Sequence, residues 1–454
     1  MEVASAYPRL GRPARYGVAA ALVVLVLLVL AATAVFDYGS FQGVPGRTAL
    51  FGIPVVVFLG LATYLAVQAF DRQAVRRRRH VLLAGGLLAA AIVLWLLVLD
   101  VFVFTQDAGP VAALICAIAC LPTTAFGLWA VRRLDRNEKE PWRLVLAASG
   151  WGAIVATSLV ILGEGFWQQL SLQTLVPGPG LEASTAFSAG IFEELAKGLA
   201  VLLLFLVMRD EFDDVVDGIV YGAAVGLGFN FMESISYMTY LFSIFGDGQG
   251  AAAAFFQWYA RQVLGLFFGH ATYTALVGAG IGIARQLARR RHQLLAIASG
   301  WLIAIAAHFS WDAWLTYFPI SHSILALLEI HLRTLVMEGP FTAMVAIVLV
   351  MGLRIEGRAL RRQLQEEAAT GSGAVLPTEA PVLASPWQRF LARWRAMDRG
   401  GGFKAYRRLR RLQNAQLDLA MERWHRERKE IDQPLEAENL LRQRILTLRG
   451  QAAP

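Results

Sequence analysis

The chain has 454 residues, 56% of them hydrophobic and 17% charged, with a formal net charge of +8 and a mean hydropathy of +0.50. That balance excludes an ordinary soluble domain and points to a polytopic membrane protein. The two cysteines, Cys116 and Cys120, stand one helical turn apart in an apolar stretch, and read as packing residues rather than a disulfide or metal site.

In chain order, apolar blocks fall near 16–36, 48–70, 81–104, 110–131, 142–163, 186–208, 215–243, 254–284, 293–316 and 334–353. Each approaches or exceeds the roughly 20 residues a helix needs to cross the hydrocarbon core. The expected fold is therefore an all-α, polytopic transmembrane helix bundle of about ten spans, followed by a helical cytoplasmic tail. Three regions are expected: N-terminal membrane helices over 1–140, a membrane bundle bearing the chemistry over 141–353, and a basic tail over 354–454. Around Ala32, Thr33 and Ala34 the first block resembles a signal cleavage site. It is longer than the 7–15 residues or so of a signal core, and reads as an anchor.

Arginines cluster before the first block, after the second, around the fourth-to-fifth connection, after the eighth and after the tenth. This alternation is the positive-inside pattern for a cell-membrane protein with both termini cytoplasmic. From Arg354 onward there are 20 Lys/Arg and 12 Asp/Glu, so the chain's whole net charge is matched by its tail. Residues 368–385 read as a Gly/Ser/Pro/Ala linker without helical period. Trp387, Phe390, Leu391 and Trp394 then recur at helical spacing with Arg389, Arg393 and Arg395 between them. That pattern suits a helix lying on an anionic lipid surface, and a cytoplasmic protein is the other partner the tail could take. Interleaved acids and the absence of a recognisable module argue against nucleic acid.

Four later spans carry side chains that are costly in lipid, at about 2.5–3.5 kcal/mol for one acid at a helix centre. They are Glu193, Glu194 and Lys197 in the sixth, Asn230 and Glu233 in the seventh, His270 in the eighth, and His308 and Asp312 in the ninth. Glu194, His270 and His308 each stand about 14 residues from the cytoplasmic end of their block, roughly 21 Å at helical rise, and Glu233 about 18 residues, roughly 27 Å. Four antiparallel neighbours thus place acids and imidazoles in one layer, toward the outer leaflet. Lys197 is spaced to neutralise Glu193 or Glu194, and Asp312 to orient His308. Glycines at 222, 226, 228, 265 and 269 allow close helix approach.

Such a layer can activate water with a carboxylate base, with histidine stabilising an oxyanion or relaying a proton. Equally, two histidines and a glutamate can hold zinc while another glutamate serves as base. The residue types do not choose between a zinc and a metal-free route. A proton-coupled transporter would also show Glu and His within spans, though no inverted repeat is evident. A non-catalytic membrane scaffold is the third alternative.

Glu193 and Glu194 with Lys197 form an E-E-x-x-K motif. Asp217 and Gly218 lead through Gly226 and Phe229 to Glu233, and His270 and then His308 with Trp311 and Asp312 follow in order. Over roughly 140–312 this series resembles the PrsW family of intramembrane proteases, related to CAAX-endopeptidase and bacteriocin-processing membrane proteins. The resemblance implies hydrolysis of a peptide bond in a single-pass, membrane-anchored substrate of the anti-sigma-factor kind. It implies that Glu193 and Glu194 activate water, that Glu233 and His270 complete the site, and that His308, steadied by Asp312, polarises the carbonyl or binds metal. Combined with the depth of the layer, it implies cleavage near the outer face of the membrane.

Overall fold

The computed structural model describes residues 15–27, 47–69, 74–174, 179–209, 211–318, 325–427 and 436–450, and these are helical, with no strand among them. The helices are α1 (Arg15–Leu27), α2 (Arg47–Ala69), α3 (Ala74–Arg132), α4 (Trp142–Gly150), α5 (Thr157–Thr174), α6 (Pro179–Val207), α7 (Val215–Trp258), α8 (His270–Gln286), α9 (Arg290–Tyr317), α10 (Ala326–Met337), α11 (Gly339–Ala369), α12 (Ala380–Leu383), α13 (Pro386–Ala396), α14 (Gly402–Glu427) and α15 (Glu436–Gly450). The anchor reading at Ala32, Thr33 and Ala34 lies outside the described residues.

Five stretches among the described residues are long and apolar enough to cross a membrane: Leu83–Gln106, Ala108–Arg132, Trp142–Leu172, Val215–Gly246 and Arg290–Tyr317. A sixth follows if α10 and α11, bent by 48° at their junction, count as one span. The expected count of about ten is therefore not reached among the described residues, and two of the expected spans show why. Although α6 has 29 residues, Glu193, Glu194 and Lys197 interrupt its apolar middle. The expected eighth span, 254–284, is not one helix. The chain leaves α7 through a π-helical turn at Tyr259–Leu264 and turns until Gly269, whose φ of 96° no right-handed helix accepts. Only then does the 17-residue α8 begin, at His270. Hydropathy registers apolar content, and a turn built of apolar residues scores as highly as a helix.

The long α7 forms the axis, with Val216, Ile219, Val220, Tyr221, Ala224, Val225 and Leu227 almost wholly buried. It starts in a capping box, in which the Asp214 carboxylate accepts from the Val216 and Asp217 N–H groups. The Asp217 carboxylate accepts in return from Asp213 and Asp214, satisfying the free donors of the first turn. Between α7 and α8, backbone meets backbone. A Cβ at Gly218 would lie 2.1 Å from the Gly278 oxygen, and one at Gly226 would lie 2.1 Å from the His270 oxygen. Gly222 is similarly crowded by the Thr274 oxygen of α8, and Gly228 by the Ser149 oxygen of α4, as the small-residue pattern predicts. Gly269 instead supplies a left-handed turn.

The helices of the tail build buried clusters among themselves and with the end of α11. Leu360, Leu364, Val375, Leu383, Leu417, Met421 and Trp424 form one buried cluster, and Ala374, Leu412, Leu419 and Ile445 another. Residues 368–385, expected to be a linker, are thus drawn into the core by Ala374, Val375, Ala380 and Leu383. Around α13, Trp387, Phe390 and Trp394 stay exposed.

Candidate active site

The charged groups of α6, α7, α8 and α9 meet. Lys197 sits at the centre, wholly buried, with its Nζ 3.0 Å from Glu193 Oε2, 2.6 Å from Glu194 Oε1 and 3.0 Å from His270 Nδ1. The ammonium also lies 4.3 Å from the centre of the Phe229 ring, a cation–π contact. Glu194 is wholly buried and accepts from its neighbours. His308 Nδ1 is 3.1 Å from its Oε1 and Thr274 Oγ1 3.4 Å from its Oε2. Its helix is fixed by two indoles, Trp301 donating to the Glu194 carbonyl at 2.9 Å and Trp151 to the Ala196 carbonyl at 3.0 Å.

The partners assign the proton positions on both imidazoles. At His270 the Lys197 ammonium donates to Nδ1, so Nε2 carries the hydrogen and donates to Glu233 Oε2 at 2.5 Å. His308 donates from Nδ1 to Glu194, leaving Nε2 3.6 Å from Glu193 Oε2 and 3.4 Å from Asp312 Oδ2. The two rings lie edge to face at 5.2 Å. Tyr273 stacks on His308 at 4.9 Å, and its hydroxyl donates to Glu338.

Seven of the residues singled out from the sequence are therefore in the cluster or on its edge: Glu193, Glu194, Lys197, Glu233, His270, His308 and Asp312. Asn230 is different. Its side chain donates to the Arg261 carbonyl at 3.2 Å and holds the π-helical turn, as interhelical glue. Four further groups were not singled out. Arg261 binds Glu233 at 2.8 Å and stacks over Tyr237 at 3.9 Å; an arginine inside an apparent span demands an acid, and that signal was available. Glu338 and Glu164 were visible as acids in or beside apolar blocks, and each has one buried carboxylate oxygen without a hydrogen-bond partner. Tyr273 carried no sequence signal beyond its place three residues after His270.

These groups border a cavity of about 760 Å³, whose walls include Glu164, Glu193, Glu233, His270, His308 and Asp312. Glu193 lines it and Glu194 does not. Ligand atoms of Glu193, Glu194, His270 and His308 all lie within 4.8 Å of one another. Two imidazoles with carboxylates suit zinc, so the donor set fits such an ion. The Lys197 ammonium touches three of the four, so an ion there would share its space.

Residues 140–353 match the family model described as "PrsW family intramembrane metalloprotease". Among curated proteins, the chain is similar to "Protease PrsW" of Geobacillus kaustophilus (strain HTA426), at 30% identity over 161 residues, which are 36% of this chain and 63% of that protein. It is similar also to "Protease PrsW" of Bacillus subtilis (strain 168), at 31% identity over 104 residues, 23% of this chain and 44% of that protein. The matched regions thus span about half to two thirds of those relatives. No solved structure matches.

Proposed function

Taking residues 140–353 as a PrsW-family segment within a membrane protein, we propose that the chain is an intramembrane endopeptidase. Its substrate would be a single-pass membrane protein of the anti-sigma-factor kind, cut near the outer face with both termini of the protease cytoplasmic. One observation supports this above the others: acids and imidazoles from four helices converge on the wall of one cavity, which also receives the charged edge of Arg261.

In this reading Glu193 is the base. It is the member of the acidic pair that reaches the cavity, while Glu194 is consumed by Lys197, His308 and Thr274. Glu193 takes a proton from water as the water oxygen attacks the scissile carbonyl. His308 Nε2, flanked by Glu193 and Asp312, receives that proton from Glu193 and passes it to the departing amine as the C–N bond breaks. Lys197 and Glu194 position that imidazole. His270, with both nitrogens engaged, holds Glu233 and the Lys197 ammonium in place. If zinc is resident, His270 and His308 with one of Glu193 and Glu194 would hold it, the other glutamate serving as base, and it would supply an acidified water and a polarised carbonyl.

The test compares protein N-termini in membranes of cells carrying the wild-type chain or Glu193→Gln. Termini inside or beside single spans that need the wild-type chain support a protease. An identical set of termini overturns it. Metal content of the purified protein decides the cofactor. About one zinc per chain, lost in His308→Ala, selects the metal route.

A further inference from the structure

A second cavity, of about 560 Å³, lies between the α3–α4 connection and the tail helices α13 and α14. Six cationic side chains line it: Arg133, Arg136, Lys139, Arg389, Arg393 and Arg410, against the acids Glu138 and Asp418. Arg133, Arg136, Lys139 and Arg410 are exposed at its rim, and Arg393 is half-buried. Arg389 is different, being only 3% exposed. It donates from one terminal nitrogen to the Arg136 carbonyl and to Asn137 Oδ1, both at 3.2 Å. Its other terminal nitrogen, NH1, is buried without a hydrogen-bond partner. The nearby Asp135 carboxylate accepts from the Asn137 and Glu138 N–H groups and makes no hydrogen bond with Arg389. A buried guanidinium held by two neutral acceptors, with one terminal nitrogen unpaired at the wall of a basic cavity and a neighbouring acid, Asp135, whose Oδ2 is likewise unpaired, is chemically suited to an anion.

Position indicates which anion. The membrane-crossing stretch Ala108–Arg132 ends one residue before Arg133, so the cavity sits at headgroup level. Beside it, α13 exposes Trp387, Phe390 and Trp394, the residue types that seat a helix at a lipid boundary. We propose that this cavity binds a phosphate group, presented by an anionic phospholipid whose headgroup enters between α3 and α13 and is held by Arg389, Arg393 and Arg136. The lipid would fasten the tail unit to the membrane bundle. This inference does not depend on proteolysis.

The test is thermal unfolding of the full chain in nanodiscs of phosphatidylcholine alone or mixed with phosphatidylglycerol, and in phosphatidylcholine with millimolar inorganic phosphate. The expected result is a midpoint several degrees higher with phosphatidylglycerol, and no shift with inorganic phosphate. Arg389→Ala should abolish the increment. Because that residue is buried and the variant could fail to fold, Arg133→Gln with Arg410→Gln at the exposed rim gives a second reading: an unchanged midpoint in phosphatidylcholine and a reduced increment. Arg290→Gln, at the exposed start of α9, should keep the full increment. If inorganic phosphate reproduces an Arg389-dependent shift without anionic lipid, the lipid assignment is overturned. If neither probe shifts the midpoint, or the rim variants keep the full increment, the site itself is overturned.

Discussion

Two parts of this chain hold buried or half-buried ion pairs, and they hold them on different terms. At the junction of α6 to α9 the innermost charges are buried, Glu194 and Lys197 wholly, and Lys197 alone answers to Glu193, Glu194 and His270. In the tail, Glu367 takes Arg442 through two bonds at 2.8 and 2.9 Å and also meets Arg423, while further pairs such as Arg362 with Glu427 stand half in solvent. In the first region, losing the partner of Lys197 or Glu194 strands a charge that is wholly buried. In the second, water replaces most of what is lost. The same residue types therefore specify a site in one place and a folded surface in the other.

The sharpest way to break the comparison is to remove Lys197. Lys197→Met leaves two buried carboxylates facing each other without their cation, and breaking a buried pair this way costs about 3–5 kcal/mol. Thermal unfolding of the detergent-solubilised chain should show a large drop, with partial recovery when Glu194→Gln is added. An unaltered midpoint would mean that the cluster is hydrated and that its charges are not confined.

Glu193 and Glu194 should then separate. Glu193→Gln is expected to lower cleavage by about 10²–10⁴-fold, the usual worth of a general base, with little change in the unfolding midpoint. Glu194→Gln should lower both, since the Glu194 carboxylate positions Lys197, His308 and Thr274. Matching losses in the two variants would erase the distinction between base and positioning residue. A smaller effect belongs to Gly226→Ala. Its Cβ would sit 2.1 Å from the His270 oxygen, so α7 and α8 must part, at about 1–3 kcal/mol by comparison with overpacked cores. Because His270 opens α8, activity should fall along with stability.

Much of the site was legible because lipid makes charge expensive: an acid or histidine in an apolar block needs a reason, and a shared depth on four blocks gives one. Arg261 obeys the same logic and was passed over, although it stands within a block that hydropathy counted as a span. Much less of the fold was legible. The break before His270 depends on the left-handed Gly269 and on turn residues as apolar as any helix, which hydropathy does not separate. Residues 368–385 show the converse. Gly371, Ser372, Gly373 and Pro377 signal a loop, and a loop they form, but Ala374, Val375 and Leu383 within it bury against α14. Local composition reported the backbone there and missed the packing.

Outside the spans, Asp135 offers a test through pH. Burial raises its carboxyl to about 7, against the lowering effect of the Asn137 and Glu138 N–H groups. The folded chain thus holds this proton more tightly than the unfolded chain. The stabilisation is complete below about pH 4, the ordinary range of aspartate, and is lost as pH rises through about 7. The unfolding midpoint should fall across that window, and Asp135→Asn should flatten the fall while keeping an acceptor for both N–H groups. A wild-type curve that rises over the same window would show an ionised Asp135 compensated by a cation.

The smallest effect is expected at Arg362 and Glu427, and it bears on the comparison most directly. Their side chains are 57% and 44% exposed, and such pairs contribute about 0–1 kcal/mol because water and salt screen them. Arg362 also lies 3.7 Å from Glu366 one turn on, so losing Glu427 leaves it a neighbour of opposite sign. Glu427→Gln should therefore shift the unfolding midpoint only marginally, and less again at high salt. A loss approaching that of Lys197→Met would place this pair in a far drier setting than its exposure allows. It would then be the apposition of the tail helices, and not the membrane, that confines charge in this protein.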